Sequence, residues 1–145
     1  MDVTSGRDSL ALPRPVQQGD AMKISPAPAL AALFLGAGTL HFVTPKPFDS
    51  IVPRRLPGDA RAYTYASGVA EIAVGTALAV PRTRGIGGTL AAALLVAVFP
   101  ANVQMAVDWV RSDKISTPLK VVALARLPLQ LPMIAAAVKV RSTAA

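Results

Sequence analysis

Residues 90–107, LAAALLVAVFPANVQMAV, contain no charged side chain and decide how this chain is read. Extended to Ile86 and Val110, the run is long enough for the roughly 20 residues that a helix needs to cross a bilayer. Hydrophobic and polar residues do not alternate with period 2, so a transmembrane barrel is not expected. Three more apolar runs flank it: Pro28 to Val43 (PALAALFLGAGTLHFV), Ala62 to Val80 and Leu119 to Val140. The first is short for a span. Pro53, Pro57, Pro81 and Pro118 punctuate the gaps, where proline stops or starts helices. The expected fold is all-α: a bundle of four transmembrane helices at about 28–43, 62–80, 86–110 and 119–140, in a membrane domain covering 26–141. Small residues recur in every run and allow close helix contact in lipid.

Composition agrees. The chain has 145 residues, 52 % of them hydrophobic and only 16 % charged, with a mean hydropathy of +0.47. A soluble domain carries about 25 % charge. The 145 residues allow one domain of ordinary size. There is no cysteine, which excludes disulfides and thiol redox chemistry, and a single histidine argues against zinc. No metal site is expected. The net charge of +7 is spread along the chain and aromatics make up only 5 %, so nucleic acid is not the expected partner. The expected surroundings are a lipid bilayer, and the expected location is a cell membrane.

Residues 1–25 mix polar residues, proline and glycine without an apolar period, and are expected to form a disordered tail. Met22 followed by Lys23 is an alternative start. Lys23 and the first apolar run have the outline of a secretory signal, but the apolar character continues through Leu40, Phe42 and Val43. With four spans both termini lie on one side. Arg7, Arg14, Lys23, Arg82, Arg84, Lys139 and Arg141 on that side equal in number Lys46, Arg54, Arg55, Arg61, Arg111, Lys114 and Lys120 on the other. The positive-inside rule gives no orientation.

Threading the spans back and forth concentrates polar residues near the face that carries the first and third loops. His41 falls at the exit of the first span and Glu71 about 15 Å into the second, at 1.5 Å per residue. Asn102 and Gln104 approach the same face, and Arg126 and Gln130 share one side of the fourth span. A carboxylate in hydrocarbon has to pair or take up a proton, and Arg126 is the expected partner of Glu71. The pair is either a structural ion pair or part of a ligand or proton site. Asn102 and Gln104, two apart, point to different faces. The candidate pocket is Glu71, Arg126, Gln130, Asn102 and His41. No residue is assigned as catalytic. Pro100, Pro128 and Pro132 are expected to kink their helices, and Tyr63, Tyr65 and Trp109 to sit in an interfacial belt. Residues 44–61, with Phe48, Ile51, Val52 and Leu56 on one side and Lys46, Arg54 and Arg55 on the other, either lie in the headgroup layer or fold over the pocket; the interfacial anchor is favoured.

Four stretches, GTLHFVTPKPFDSIVPRRLP, SGVAEIAVGTAL, VFPANVQMAV and RLPLQ, resemble the DoxX family of small bacterial membrane proteins over about Gly36 to Ile134. The resemblance implies four spans and an association with membrane oxidoreductase complexes, with His41, Pro45, Phe48, Pro53, Glu71, Asn102, Arg126 and Gln130 at the motif positions. Dithiol chemistry found in relatives is excluded here, since there is no cysteine.

Two functions follow as expectations. The first is a quinone-linked redox accessory or docking subunit, with Glu71, Arg126 and Gln130 bonding quinone carbonyls. No flavin, haem or nicotinamide motif is present, so electrons come from an oxidoreductase partner and autonomous catalysis is not expected. The second is a non-enzymatic transporter or scaffold for a lipid or small solute, which with so few spans implies a homo-oligomer. A structural protein whose polar residues only hold the helices together is the plainest reading.

Overall fold

The computed structural model describes residues 25–144, and these are helical with short connections. The expected tail lies, except for Ser25, outside the described residues. Five α-helices follow in order: α1 (Ala27–Val43), α2 (Pro45–Asp49), α3 (Ala60–Ala79), α4 (Arg84–Arg111) and α5 (Thr117–Thr143), with a 3₁₀ turn at Pro81–Thr83 before α4. Two of them are long and apolar enough to cross a membrane: α4, with the turn that precedes it, and α5. The apolar α1 is shorter, and α3 carries Glu71 and more polar residues.

Pro118 and Pro81 start a helix and a 3₁₀ turn as the sequence indicates, while Pro53 and Pro57 lie in the loop before α3. Pro28, Pro45 and Pro118 occupy the first turns of α1, α2 and α5, where a missing N–H leaves no bond unmade. Asp59 caps α3 by accepting the Arg61 backbone N–H at 3.2 Å. At the other end of α3, Arg84 Nε donates to the Leu78 carbonyl at 3.1 Å, filling one of the acceptors that a helix C-terminus leaves open. Pro100, Pro128 and Pro132 lie inside α4 and α5 without ending either helix.

The four long helices pair as two hairpins, α1 with α3 and α4 with α5, joined through α3 and α4. Glycine sets the approach of the first hairpin. A Cβ on Gly68 would stand 2.8 Å from His41 Cβ and 3.1 Å from the Gly38 carbonyl oxygen. Only a residue without a side chain lets the two backbones come so near. In the second hairpin, a Cβ on Gly88 would meet the Ala137 carbonyl oxygen at 2.7 Å.

Two apolar clusters fill the bundle. The larger, built on Leu30, Phe34, Val74, Leu78, Leu95 and Val140, lies toward the start of α1 and the end of α5. The smaller joins Met105, Ala106 and Ala123 to Ile51, Trp109 and Leu127 at the opposite end. Much of the remaining apolar surface faces outward. Val69, Val96, Val122 and Leu131 are 58–70 % exposed. The helices therefore carry an apolar outer surface as well as an apolar core.

Candidate functional site

Polar side chains of α1, α3, α4 and α5 meet at a cavity of about 230 Å³. Thr64, Ser67 and Glu71 reach it from α3, spaced three and four apart so that they share one helix face. His41 comes from α1, Asn102 from α4 and Arg126 from α5. Ala97, Val98 and Ala101 give the α4 wall its apolar part.

Glu71 is the centre of this arrangement. Its Oε2 lies 3.4 Å from His41 Nδ1, while that nitrogen is only 2.8 Å from the Ala37 carbonyl oxygen. A carbonyl only accepts, so the Nδ1 proton points into α1 and Glu71 receives no full hydrogen bond from it. Oε2 is buried and has no hydrogen-bond partner among the described residues. Buried carboxylate oxygens almost always have one, so the bare atom marks a place where a ligand donor, a water or a proton belongs.

The expected Glu71–Arg126 ion pair is not formed. The carboxylate's ionic contact is with His41, and Arg126 lines the same cavity from an exposed position on α5. Depth along the helices brought the two residues to one level. Their lateral distance depends on the α3–α5 spacing, and α3 packs on α1 and α4 instead. The cavity thus presents a free acceptor on α3 and a free donor fork on α5.

Gln130 is spent elsewhere. Its side chain, 1 % exposed, donates to the Leu95 carbonyl and accepts from Asn102 Nδ2 at 3.1 Å. It joins α5 to α4 and holds the Asn102 side chain at the cavity wall, without lining the cavity itself. Gln104, two residues on from Asn102, donates to Asp108 at 2.9 Å on the exposed side of α4.

The segment between α1 and α3 covers the cavity. The Phe48 ring stacks on the His41 imidazole at 3.8 Å between centroids, and Ile51, Val52, Pro53 and Leu56 continue the lining. Phe48, Ile51 and Val52 are therefore turned inward, where an interfacial anchor would turn them toward lipid, while Leu56 at the rim stays 44 % exposed. Asp49 latches the cover to α3. Arg61 Nε donates to its Oδ2 at 2.9 Å, Arg61 Nη2 lies 2.7 Å from the same oxygen, and Thr64 Oγ1 donates to Oδ1 at 2.7 Å. These bonds, Arg61 first and Thr64 second, hold the Asp49 carboxyl below its ordinary value. Sequence reasoning overlooked Asp49, because nothing in the chain marks a pair twelve residues apart across a turn. Thr64 was legible in principle, since it lies seven residues before Glu71 on the same face.

Among the described residues no group of three His, Cys, Asp or Glu side chains is placed to hold a metal ion. No curated protein and no solved structure matches the chain. A family match does exist, and it overturns the resemblance to DoxX: over residues 30–141 the chain matches a different family, described only as a domain of unknown function. The oxidoreductase association that the resemblance implied falls with it. The fold accounts for several features of the motifs that suggested it, since their glycines mark close helix approaches, Pro45 opens α2, and the glutamine of RLPLQ joins two helices. These are general needs of packed apolar helices and identify no lineage. The chain belongs to the family of domains of unknown function DUF8561.

Proposed function

We propose that the protein is a four-span membrane protein whose covered cavity takes the polar head of a lipophilic ligand, with a quinone ring as the best-fitting class. The observation that carries this reading is that Oε2 of Glu71, without a partner among the described residues, faces a cavity that Arg126 also lines. One wall accepts a hydrogen bond and another donates, which suits a ring bearing a hydroxyl on the Glu71 side, as the reduced quinol does, and an oxygen acceptor on the Arg126 side; a quinone carbonyl facing Glu71 requires the carboxyl to be protonated. A volume of about 230 Å³ is below the roughly 300–1,000 Å³ of pockets that enclose a drug-sized molecule, so it suits a headgroup whose tail stays in lipid.

Support for four spans comes from length and surface. At 1.5 Å per residue, α1 and α3 measure about 26 and 30 Å, and α4 and α5 about 40 Å, against a hydrocarbon core of about 30 Å. Only 28 % and 17 % of the most apolar windows of α4 and α5 are buried inside the protein. A soluble core helix would be mostly buried. Here the apolar surplus faces outward, where lipid is the medium that suits it.

The test is a mass-spectrometric count of quinone and lipid on protein purified in mild detergent, comparing wild type with Glu71→Gln and Arg126→Gln. Near-stoichiometric quinone in the wild type, reduced roughly tenfold or more in both variants at unchanged size-exclusion profile, is expected from losing one buried bond to a charged group. Background quinone in the wild type sinks the quinone reading. A bound lipid or small solute in its place would favour a transporter or scaffold.

A further inference from the structure

The cover over the cavity has two sides, and the site uses only the inner one. We infer that its outer face docks the anionic headgroups of the surrounding bilayer, an inference that rests on the membrane-spanning reading above.

The charge arrangement carries it. Phe48, Ile51 and Val52 face the cavity, and Lys46, Arg54 and Arg55 are exposed with no carboxylate in ion-pair range among the described residues. Both acids of the segment are already engaged: Asp49 with Arg61 and Thr64, Asp59 as the N-cap of α3. The outer face therefore keeps three cations outside any ion pair against the one remaining charge of Asp59, a surplus of two positive charges. Arg54 borders a depression of about 380 Å³ that Ser50, Gly58 and Tyr63 also line; Asp49 lies in it too, its charge offset by Arg61. Leu56, 44 % exposed, adds an apolar contact beside the cations.

Position selects the partner. Lys46 follows the last residue of the apolar α1 by three positions, so the cations stand where a bilayer's headgroups begin. Asp108 and Arg111 at the end of α4, and Asp113 and Lys114 in the connection to α5, lie at the same end. Pro45, Pro47, Pro53 and Pro57 stiffen the segment, which limits the entropy lost when a headgroup binds. A basic patch held at that depth meets lipid phosphate before any soluble polyanion.

Reconstituted full-length protein supplies the test. Trp109, the single tryptophan, packs in the apolar cluster that includes Ile51 of the cover, so its quenching by brominated lipid reports which lipids occupy this end. Brominated phosphatidylglycerol is compared with brominated phosphatidylcholine. A cation near an anionic surface contributes on the order of fivefold in affinity, so the wild type should prefer phosphatidylglycerol several-fold. The preference should shrink in high salt and approach one in K46Q/R54Q/R55Q, whose altered residues are all exposed. Glu71→Gln should keep it, which separates this inference from the fate of the quinone reading. Equal quenching by both lipids in the wild type, or a preference unchanged in the triple variant, would overturn the inference. Failure of the protein to enter the bilayer would overturn both readings together.

Discussion

At the scale of single residues the chain holds two carboxylates of opposite design. Glu71 is surrounded by groups that leave one oxygen unused, whereas Asp49 accepts from every group within reach. The second arrangement has a pH consequence with a definite sign. Because the folded Asp49 carboxyl is held below its ordinary value near 3.8, its contribution to holding the cover is complete above that value. It is lost as the pH falls from there through the depressed folded value. Acid should therefore release α2 from α3 and change the emission of Trp109, which packs near Ile51. Asp49→Asn should reproduce the released signal at neutral pH. Emission that stays constant through the acid range in wild type would show that the latch does not hold the cover.

Among the elements, the α1–α3 hairpin depends most on small residues. Gly68 and Gly38 let two backbones touch, and the same contact brings His41 beside Glu71. Gly68→Val would drive a side chain into His41 and Phe42, where the overpacking costs about 1–3 kcal/mol and displaces His41 from the carboxylate. Thermal unfolding in detergent should show a clear drop in Tm. Gly36, on the partner helix α1 and with open space around its missing Cβ, is the control. Gly36→Ala should leave Tm unchanged or raise it slightly, since alanine gains about 1 kcal/mol of helix propensity over glycine. Equal loss in both variants would mean that the helix, not the contact, was disturbed.

For the molecule as a whole the question is how many helices cross. The absence of cysteine makes single-cysteine labelling direct. With four spans, Ser50→Cys and Ser112→Cys react with a membrane-impermeant maleimide from one side of sealed vesicles. Arg82→Cys and Ser142→Cys react only from the other. If Arg82→Cys and Ser112→Cys, which flank α4, label from the same side, α4 does not span. If α4 and α5 alone cross, Ser142→Cys keeps its side and Ser50→Cys changes.

Much of this protein was legible in its sequence because the signals are local. Charge-free runs and helix-starting prolines need no knowledge of neighbours, so the four long helices emerged close to their observed bounds, as did the level at which His41, Glu71, Asn102 and Arg126 meet. Short motifs were a poor guide to family, because glycine and proline at helix contacts recur wherever apolar helices pack. The tertiary structure alone decided which side chains touch. Depth along a helix follows from counting residues, but lateral pairing depends on which helices are neighbours and how each is rotated. That is why Glu71 faces His41 with Arg126 across the cavity, why Gln130 joins two helices instead of lining the pocket, and why the loop turns Phe48, Ile51 and Val52 inward over the site.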